Sequence, residues 1–513
     1  MRRLEGLYVQ FSDRLDPEAN ARIQALCDRL LGDLFEGITD LYPGYVNLFV
    51  EFDAAMLERA KVRAWVNKHL EHLEPKPGGR DVIVPVRYDG EDLGWIASQT
   101  GFSLDEVIKR HSNRAYRVYA VGFVPGQPHL GTLDPALYLP RRSTPRKRVP
   151  ANTVAMAVSQ TCIYSLPTPG GWHLLGTSLV GVYDPHRQRP FLLEAGDSVR
   201  FVPSDGPTPP DARVLETLPV EPFDPVFRVE APGLLDLVLD DGRFMSARFG
   251  MARAGPMDAC SARLANAVVG NLSDAPLLEL TLKGPVLSVL RDAVIGFAGF
   301  GMQCLIDDQA MPVAQSLAVR AGQRLTFKSI SSGVRAYLAL AGGLEVQTFM
   351  GSRSTDLQGL IGRALRAGDV LGRAQSCPVR AGFNLRSFAQ PDTTNLVRLR
   401  LQAGPQATPE ALEALGSGEF TVTGPNRMGV QLEGPKVPGG ELISEASPMG
   451  GLQITIDGHP IILLNDRGRI GGYTKPAIVD PRDLPLAAQL RPGQQIRFVP
   501  PRTANTSHWF IKV

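Results

Sequence analysis

The sequence predicts a mainly β protein, with related all-β modules in tandem behind a small α+β N-terminal domain. Three observations carry this. A phrase made of an apolar strand, a glycine turn and a strand ending in phenylalanine recurs as PFLLEAGDSVRFVP at 190–203, QSLAVRAGQRLTFK at 315–328 and LAAQLRPGQQIRFVP at 486–500. A shorter RAGD lies within Leu365–Leu371. Such repetition marks related modules, each expected to close with the same hairpin. The 52 glycines and 42 prolines among 513 residues suit many short strands and turns. Helical spacing of apolar residues is concentrated near the N-terminus, with one convincing helix later.

Residues 1–80 read as the α+β unit. Ala19, Ile23, Leu26, Leu30 and Leu34 fall on one helical face within Pro17–Leu34, which Asp16 caps and Pro17 opens. Leu41–Phe52 is a strand broken at Pro43-Gly44, Ala54–Leu73 a second helix, and Pro75 to Gly79 a linker. Residues 81–205 form the first barrel: strand Asp81–Tyr88, short helices Leu93–Thr100 and Leu104–His111, strand Tyr116–Phe123, then turns and short strands. Residues 206–226 are a proline-rich linker. Residues 227–380 and 381–513 are two further lobes, and Met257–Asn271 supplies the later helix, capped by Asp258 and stopped by Gly270.

Composition removes several function classes. Net charge is +2, which argues for neither nucleic acid nor membrane as partner, and no apolar run approaches a membrane span. The basic run 139–148 has no aromatic residues between its cations, as single-strand binding would need. Cys27, Cys162, Cys260, Cys304 and Cys377 are odd in number and form no CxxC, which suits reduced thiols in the cytoplasm and no metal site. No GxxxxGK[ST] and no Gly-Lys pair occurs, so no phosphate-cradling P-loop is present.

Three passages carry chemistry. GSRSTD at 351–356 sets Ser352, Ser354 and Thr355 beside Arg353 and Asp356, after a strand and an Ala-Gly-Gly turn. It reads either as a grip on an anion or carbonyl or as a self-capped turn. LPRRSTPRKRVP at 139–150 holds Arg141, Arg142, Arg146, Lys147 and Arg148 on a loop that Pro140 and Pro145 stiffen. TPGGWHLLGT at 168–177 puts Trp172 beside His173, an imidazole able to move protons near neutral pH. Ser352 has no histidine near it in sequence, so a serine triad is unsupported, and His459 reads as a surface turn residue.

Taken together, these words resemble a known pair of proteins. GFVPG (122–126), LPRRSTPR (139–146), VPANTVAM (149–156), TPGGWHLLGT and EAGDSVRF (194–201) place residues 80–205 close to the B subunit of bacterial ATP-dependent 5-oxoprolinase, also called allophanate hydrolase subunit 1. GPMD (255–258), ARLANAVVGN (262–271), RAYLALAGG (335–343), GSRSTD, IGRAL (361–365) and NRMGVQLEG (426–434), with IGGY (470–473), make residues 227–500 resemble the C subunit, allophanate hydrolase subunit 2. The B–C arrangement is similar to the carboxyltransferase region of urea carboxylase. The resemblance implies tandem cyclophilin-like barrels in a natural fusion.

It also implies a function: a component of an ATP-dependent hydrolase that opens a lactam or amide, 5-oxoproline to glutamate, together with a separate A subunit that brings ATP into the assembled complex. The alternatives are a biotin-dependent carboxyltransferase, which would need a separate biotin carrier because no Met-Lys pair occurs here, and a non-catalytic regulator of a histidine kinase. A homo-oligomer is left open. On matched positions, Arg141 and Arg146 would meet an anionic group. Ser352, Arg353 and Thr355 would stabilise an oxyanion or phosphate. Asp258, Asp356 and His173 would orient groups or exchange protons. Trp172, Arg427, Gln453 and Tyr473 would complete the substrate contacts. The chain departs from the family pattern at Gln127 and His129 (usually aromatic), at Ala254 (usually Ser) and at Arg469-Ile470 (usually Thr-Thr), all in loops expected to face substrate.

Overall fold

The computed structural model describes residues 2–76, 78–376, 381–382 and 396–513. Pro77 of the first linker, Cys377 and the expected boundary after residue 380 lie outside the described residues. The head contains strand Leu4–Gln10, helix Pro17–Gly32, strands Ile38–Pro43 and Asn47–Asp53, and helix Arg59–Leu70. Asp16 caps the first helix as expected, its carboxylate accepting from the Glu18 and Ala19 amides at 2.8 and 3.3 Å. The second helix starts five residues later than Ala54, because Asp53 holds a turn there. Its carboxylate accepts from the Arg3 and Ala55 amides at 2.8 and 3.0 Å, and its carbonyl accepts from Met56 and Leu57. A fourth strand joins this sheet from the far end of the sequence: Phe510–Lys512 lies parallel to Leu4–Gln10.

Two closed seven-stranded barrels follow one plan. In space the first runs His173–Ser178, Asp81–Arg87, Ser198–Pro203, Ala115–Val121, Pro128–Gly131, Gln160–Tyr164 and Thr153–Ala157, which returns to His173–Ser178. The second runs Ala477–Val479, Val397–Ala403, Gln495–Val499, Glu419–Pro425, Gly429–Glu433, Pro460–Leu463 and Gly451–Ile454 in the same order. Each barrel places helix between its first two strands: Leu93–Thr100 and Leu104–Ser112 in one, Pro409–Gly416 in the other. Each also carries a two-stranded ribbon, Arg146–Val149 with Thr168–Gly170 and Glu441–Ala446 with Ile470–Tyr473. The repeated phrase therefore closes both barrels at equivalent places: Ser198–Pro203 lies parallel to Asp81–Arg87, and Gln495–Val499 parallel to Val397–Ala403.

The hairpin expected of the repeat forms in none of its three copies: at 190–203 only the second half is a strand, and Phe191 makes a lone bridge to Tyr183. The copy at 486–500 is entered from a short helix, Leu484–Ala487, because Pro485 sits in its first turn and favours a helical start. The copy at 315–328 is not a hairpin. Gln315–Val319 pairs with Ala293–Gly299, whereas Arg324–Ser329 pairs with Met302–Ile306 and Val286–Val289 in the other sheet. Gly322, at φ +89°, turns the chain from one sheet into the next. The expected barrel over 227–380 is thus, among the described residues, a pair of sheets of six and five strands. Phe227, Leu287 and Phe327 of one sheet pack on Leu280, Ile295 and Leu338 of the other. Helix Ala259–Val268 covers the outer face of the five-stranded sheet, and glycine at 296 permits the approach, since a Cβ there would stand 2.3 Å from the Ala265 carbonyl.

The B-like and C-like halves pack on each other. Phe191 stacks on Phe249 at 4.7 Å and 4°, and the Tyr183 hydroxyl donates to the Gly359 carbonyl at 2.5 Å. The linker is docked: the Leu215 amide donates to Leu360 and its carbonyl accepts from Gly362, both at 2.8 Å.

Candidate functional site

The hexapeptide 351–356 folds around a residue the sequence did not single out, Asp240. Gly351 turns at φ +76°. The Ser352 and Ser354 hydroxyls donate to one Asp240 oxygen at 2.6 and 2.7 Å, and the Arg353 amide donates to the other at 2.7 Å. Ser352 and Thr355 are buried, and the Ser352 hydroxyl hydrogen is already committed. They hold the loop and face no open site as oxyanion donors would. Asp356 is also buried. It faces Arg243 at 3.6 Å and accepts from the Gly359 amide at 2.8 Å, and burial raises its carboxyl above the usual range. Arg353 is different: its side chain is exposed and makes no ion pair among the described residues. The salt bridge from Arg353 to Asp356 that would have made it a scaffold residue is not formed.

Below this loop a buried seam of charge joins the head, the two-sheet lobe and the second barrel. Arg427 donates to Glu279, to Asp466 at 2.7 and 3.1 Å and to the Gly255 carbonyl at 2.9 Å. Burial works against its charge, but Asp466 and Glu279 outweigh that and raise its pKa. The expected substrate contact at Arg427 is corrected: every arm of this guanidinium is spent inside the protein. Asp258 caps the 259–268 helix through the Ser261 amide at 3.0 Å and also accepts from the Ser261 hydroxyl and Gln489 at 2.7 and 3.0 Å. Burial raises its carboxyl too. On the head's side, Glu51 and Asp40 meet Arg253, Arg467 and Arg469. Arg469, one of the family departures, donates to the Met251 carbonyl at 2.7 Å and to the Tyr42 hydroxyl at 3.1 Å.

The first barrel meets the second barrel's ribbon, and several expected residues lie on either side of the junction. His173 lies in a strand with Nε2 at 2.7 Å from the Pro140 carbonyl, so that nitrogen carries the hydrogen. Its ring stacks on half-exposed Trp95 at 4.4 Å, and Nδ1 has no protein partner. Trp172 stands edge-on to His129 at 5.9 Å, and Tyr45 does so from the head at 5.9 Å. Neither nitrogen of His129 has a protein hydrogen-bond partner, and burial pushes the imidazole down to about 4. Gln127 is buried beside it in sequence with its carbonyl oxygen unpartnered. Arg146 is committed to the protein through Nη2, while its Nη1 is buried without a hydrogen-bond partner. It donates to Asp92 at 2.8 Å and pins the basic loop to the helix at 93, with Arg142 3.3 Å from the same carboxylate. Arg141, by contrast, is exposed and reaches to 3.9 Å from Glu441 on the second barrel's ribbon. Tyr473 pairs with Glu441 in that ribbon, and Gln453 borders Gly471. Ile470 closes on Gly122 so tightly that a Cβ at 122 would stand 2.5 Å from its side chain. Buried Lys475, 3.0 Å from Glu445 and 3.0 Å from the Tyr473 carbonyl, anchors the ribbon and went unnoticed in the sequence.

Arg141 and Tyr473 thus meet through Glu441 where the first barrel touches the second barrel's ribbon, and Trp172 and His173 lie on the first barrel beside the basic loop. Among the described residues no side-chain hydrogen bond or ion pair links them to the 351–356 loop. Among the described residues no group of three His, Cys, Asp or Glu side chains is set to hold a metal, and no helix is long and apolar enough to cross a membrane. Of the described cysteines none is in a disulfide.

Comparison with known proteins adds the lineage. The family model described as carboxyltransferase domain, subdomain C and D, matches residues 4–193, and that for subdomain A and B matches residues 249–500. The chain is 39% identical over 189 residues to the 5-oxoprolinase B subunit of Escherichia coli O157:H7, covering 36% of this chain and 84% of that one. It is 34% identical over 285 residues to the 5-oxoprolinase C subunit of Escherichia coli K12, covering 53% of this chain and 91% of that one. Against the urea amidolyase of Lachancea kluyveri it is 33% identical over 323 residues, which are 56% of this chain but 17% of that enzyme's length. The crystal structure of TTHA0988 superposes with a TM-score of 0.92 at 52% identity, over 97% of this chain and all of that one. The chain belongs to the carboxyltransferase-domain family, joining in one polypeptide a C/D-type half like the B subunit of 5-oxoprolinase and an A/B-type half like its C subunit.

Proposed function

We propose that the protein is the fused B–C component of a 5-oxoprolinase-type complex, which opens a cyclic amide at the expense of ATP with a separate A-type subunit. The observation that supports this best is that one chain matches both the B and the C subunits over most of their lengths, in order, and packs the two matching halves against one another. In this reading Arg141 meets the substrate carboxylate at the junction, where a guanidinium offers paired donors. His173, with its hydrogen fixed on Nε2, presents the Nδ1 lone pair to accept a proton. Trp172, Gln453 and Tyr473 shape the site. Asp258, Asp356, Ser352, Thr355, Arg146 and Arg427 hold the architecture. ATP is handled by the A-type subunit, consistent with the missing P-loop.

The test is reconstitution. The purified chain should turn over no 5-oxoproline with ATP. Adding the A-type subunit should give glutamate and ADP. Turnover by the chain alone, or none after assembly, overturns the proposal. The urea amidolyase match and the family description support a second reading, carboxyl transfer from a biotin carrier to an amide nitrogen. Carboxyl exchange with carboxybiotin and no glutamate formation would select it.

Arg353 supplies a sharper test. Its side chain is exposed and makes no ion pair among the described residues, which leaves it to the partner or to an anion in this reading. Arg353→Lys should change unfolding free energy by less than about 0.5 kcal/mol. It should lower the assembled activity at least ten-fold, since a lost charged hydrogen bond costs roughly 1.5–3 kcal/mol. Full assembled activity, or a parallel fall in melting temperature, would count against the role.

A further inference from the structure

Along the first barrel, three large apolar side chains stand in solvent: Trp95 at 42% exposed, Tyr138 at 42% and Val158 at 51%. All three border or belong to one strip of chain, residues 138–148. Trp95 stacks on His173, whose Nε2 bonds the Pro140 carbonyl at 2.7 Å. The Val158 amide donates to the Leu139 carbonyl at 2.7 Å. The strip is held in shape along its length. The Arg142 amide donates to the Gly171 carbonyl at 2.9 Å, Arg142 and Arg146 reach Asp92, and Arg146–Val149 pairs with Thr168–Gly170. Its outward charge is positive. Arg141, Arg142, Lys147 and Arg148 are exposed, and among the described residues Lys147 and Arg148 make no ion pair.

Val158 marks this surface as one made for contact. It occupies the first position of the two-residue turn between strands Thr153–Ala157 and Gln160–Tyr164, at φ +54°. Glycine adopts that conformation freely, and a β-branched residue does not. The turn therefore carries backbone strain for a side chain that stands half in water. Strain with so little packing gain inside the chain points to a contact made outside it. Trp and Tyr beside cations have the composition of a binding hot spot, and a surface already held in shape loses little freedom on docking. Position and charge say what covers it. The strip runs from Arg141 to His173, the groups assigned above to the reaction, so the subunit that handles ATP must lie against it to pass on what it activates. The face it brings must be acidic, because Lys147 and Arg148 have no carboxylate of their own. We propose that the strip 138–148, with Trp95 and Val158, docks the A-type subunit through an acidic face with an apolar centre, an inference that rests on the 5-oxoprolinase reading.

The experiment titrates the intact chain with the A-type subunit and reads binding by calorimetry and glutamate formation separately. Wild type should bind, and more weakly as salt rises. Val158→Gly removes the contact and the strain together. It should keep or raise the melting temperature while weakening docking at least about five-fold. Lys147→Glu with Arg148→Glu should weaken docking at least about ten-fold and flatten its salt dependence. In both, excess A-type subunit should restore full turnover, because these contacts serve docking and not chemistry. Arg324→Glu with Lys328→Glu makes the same charge change on the exposed face of the six-stranded sheet and should leave docking unchanged. Wild-type affinity in either strip variant, equal weakening by the Arg324 and Lys328 changes, or turnover that excess subunit does not restore would each overturn the proposal. So would an A-type subunit that does not bind wild type. Binding that the strip variants weaken, with no glutamate formed by wild type, would overturn the catalytic reading and leave the docking surface standing.

Discussion

Arg427→Met will lower the unfolding free energy by roughly 3–5 kcal/mol, the usual cost of removing one partner from a buried ion group. Arg427 is the only cation bonded directly to both Glu279 and Asp466 among the described residues, and it also ties down the Gly255 carbonyl. Removing it leaves Asp466 without its cation and leaves Glu279 with Arg335 at 3.8 Å as its remaining ion-pair partner among the described residues. The same change at Arg497, an exposed residue 2.8 Å from exposed Glu419, should cost no more than about 1 kcal/mol. Adding Glu279→Gln and Asp466→Asn to Arg427→Met should restore part of the loss, because the charges that lost their cation go with them. Urea unfolding measures all of these. An unchanged midpoint in Arg427→Met would show that the seam carries no stability.

Acid will expose a second dependence, centred on His111. It is fully buried in the first barrel, with Nδ1 at 2.8 Å from the Tyr88 hydroxyl and Nε2 at 3.0 Å from the Thr161 hydroxyl. Burial pushes its pKa down from 6.5 to about 3. Between those values the unfolded chain binds a proton that the folded chain refuses, so His111 costs stability as pH falls below 6.5, at about 1.4 kcal/mol per unit. Asp40 and Asp236 act in the opposite sense. Burial raises both to about 6, so the folded state takes up their protons first and gains stability as pH falls from 6 towards 4. The wild-type profile therefore partly cancels, and the informative quantity is the difference between wild type and His111→Gln. At pH 8 the variant should be the less stable, having lost two hydrogen bonds. By pH 5 that gap should narrow by about 2 kcal/mol. A gap that stays constant across this range would mean that His111 already titrates normally in the fold.

Local features were legible wherever sequence neighbours alone decide them. Asp16 and Asp258 cap the helices assigned to them, and strand Arg335–Leu340 runs as expected. The repeat led to two barrels of one strand order, because the phrase that closes each is set by its own turn and apolar alternation. It failed at 315–328 because a strand's neighbours are chosen across the sheet. Nothing in QSLAVRAGQRLTFK says that its halves pair with different sheets. Which candidate side chains are already engaged inside the protein was not legible. Arg146 and Arg141 look alike in the sequence, yet Asp92, 54 residues away from Arg146, binds it and leaves Arg141 exposed. Ser352 likewise looked like a donor until Asp240, 112 residues away, was found to hold its hydroxyl. A polar residue's role here depends on which distant partner reaches it first, and local pattern does not encode that.

The head's sheet has an arrangement in time as well as in space. Leu4–Gln10 is flanked on one side by Asn47–Asp53 and on the other by Phe510–Lys512. During synthesis its second flank is missing until about 450 further residues have been made. At about 5–20 residues per second that is roughly 20–90 s. For that interval the head presents a bare strand edge, the kind of surface that recruits stray strands. Completion of the head is thereby tied to a segment far downstream of it, so a chain released before residue 510 would carry an unfinished head sheet.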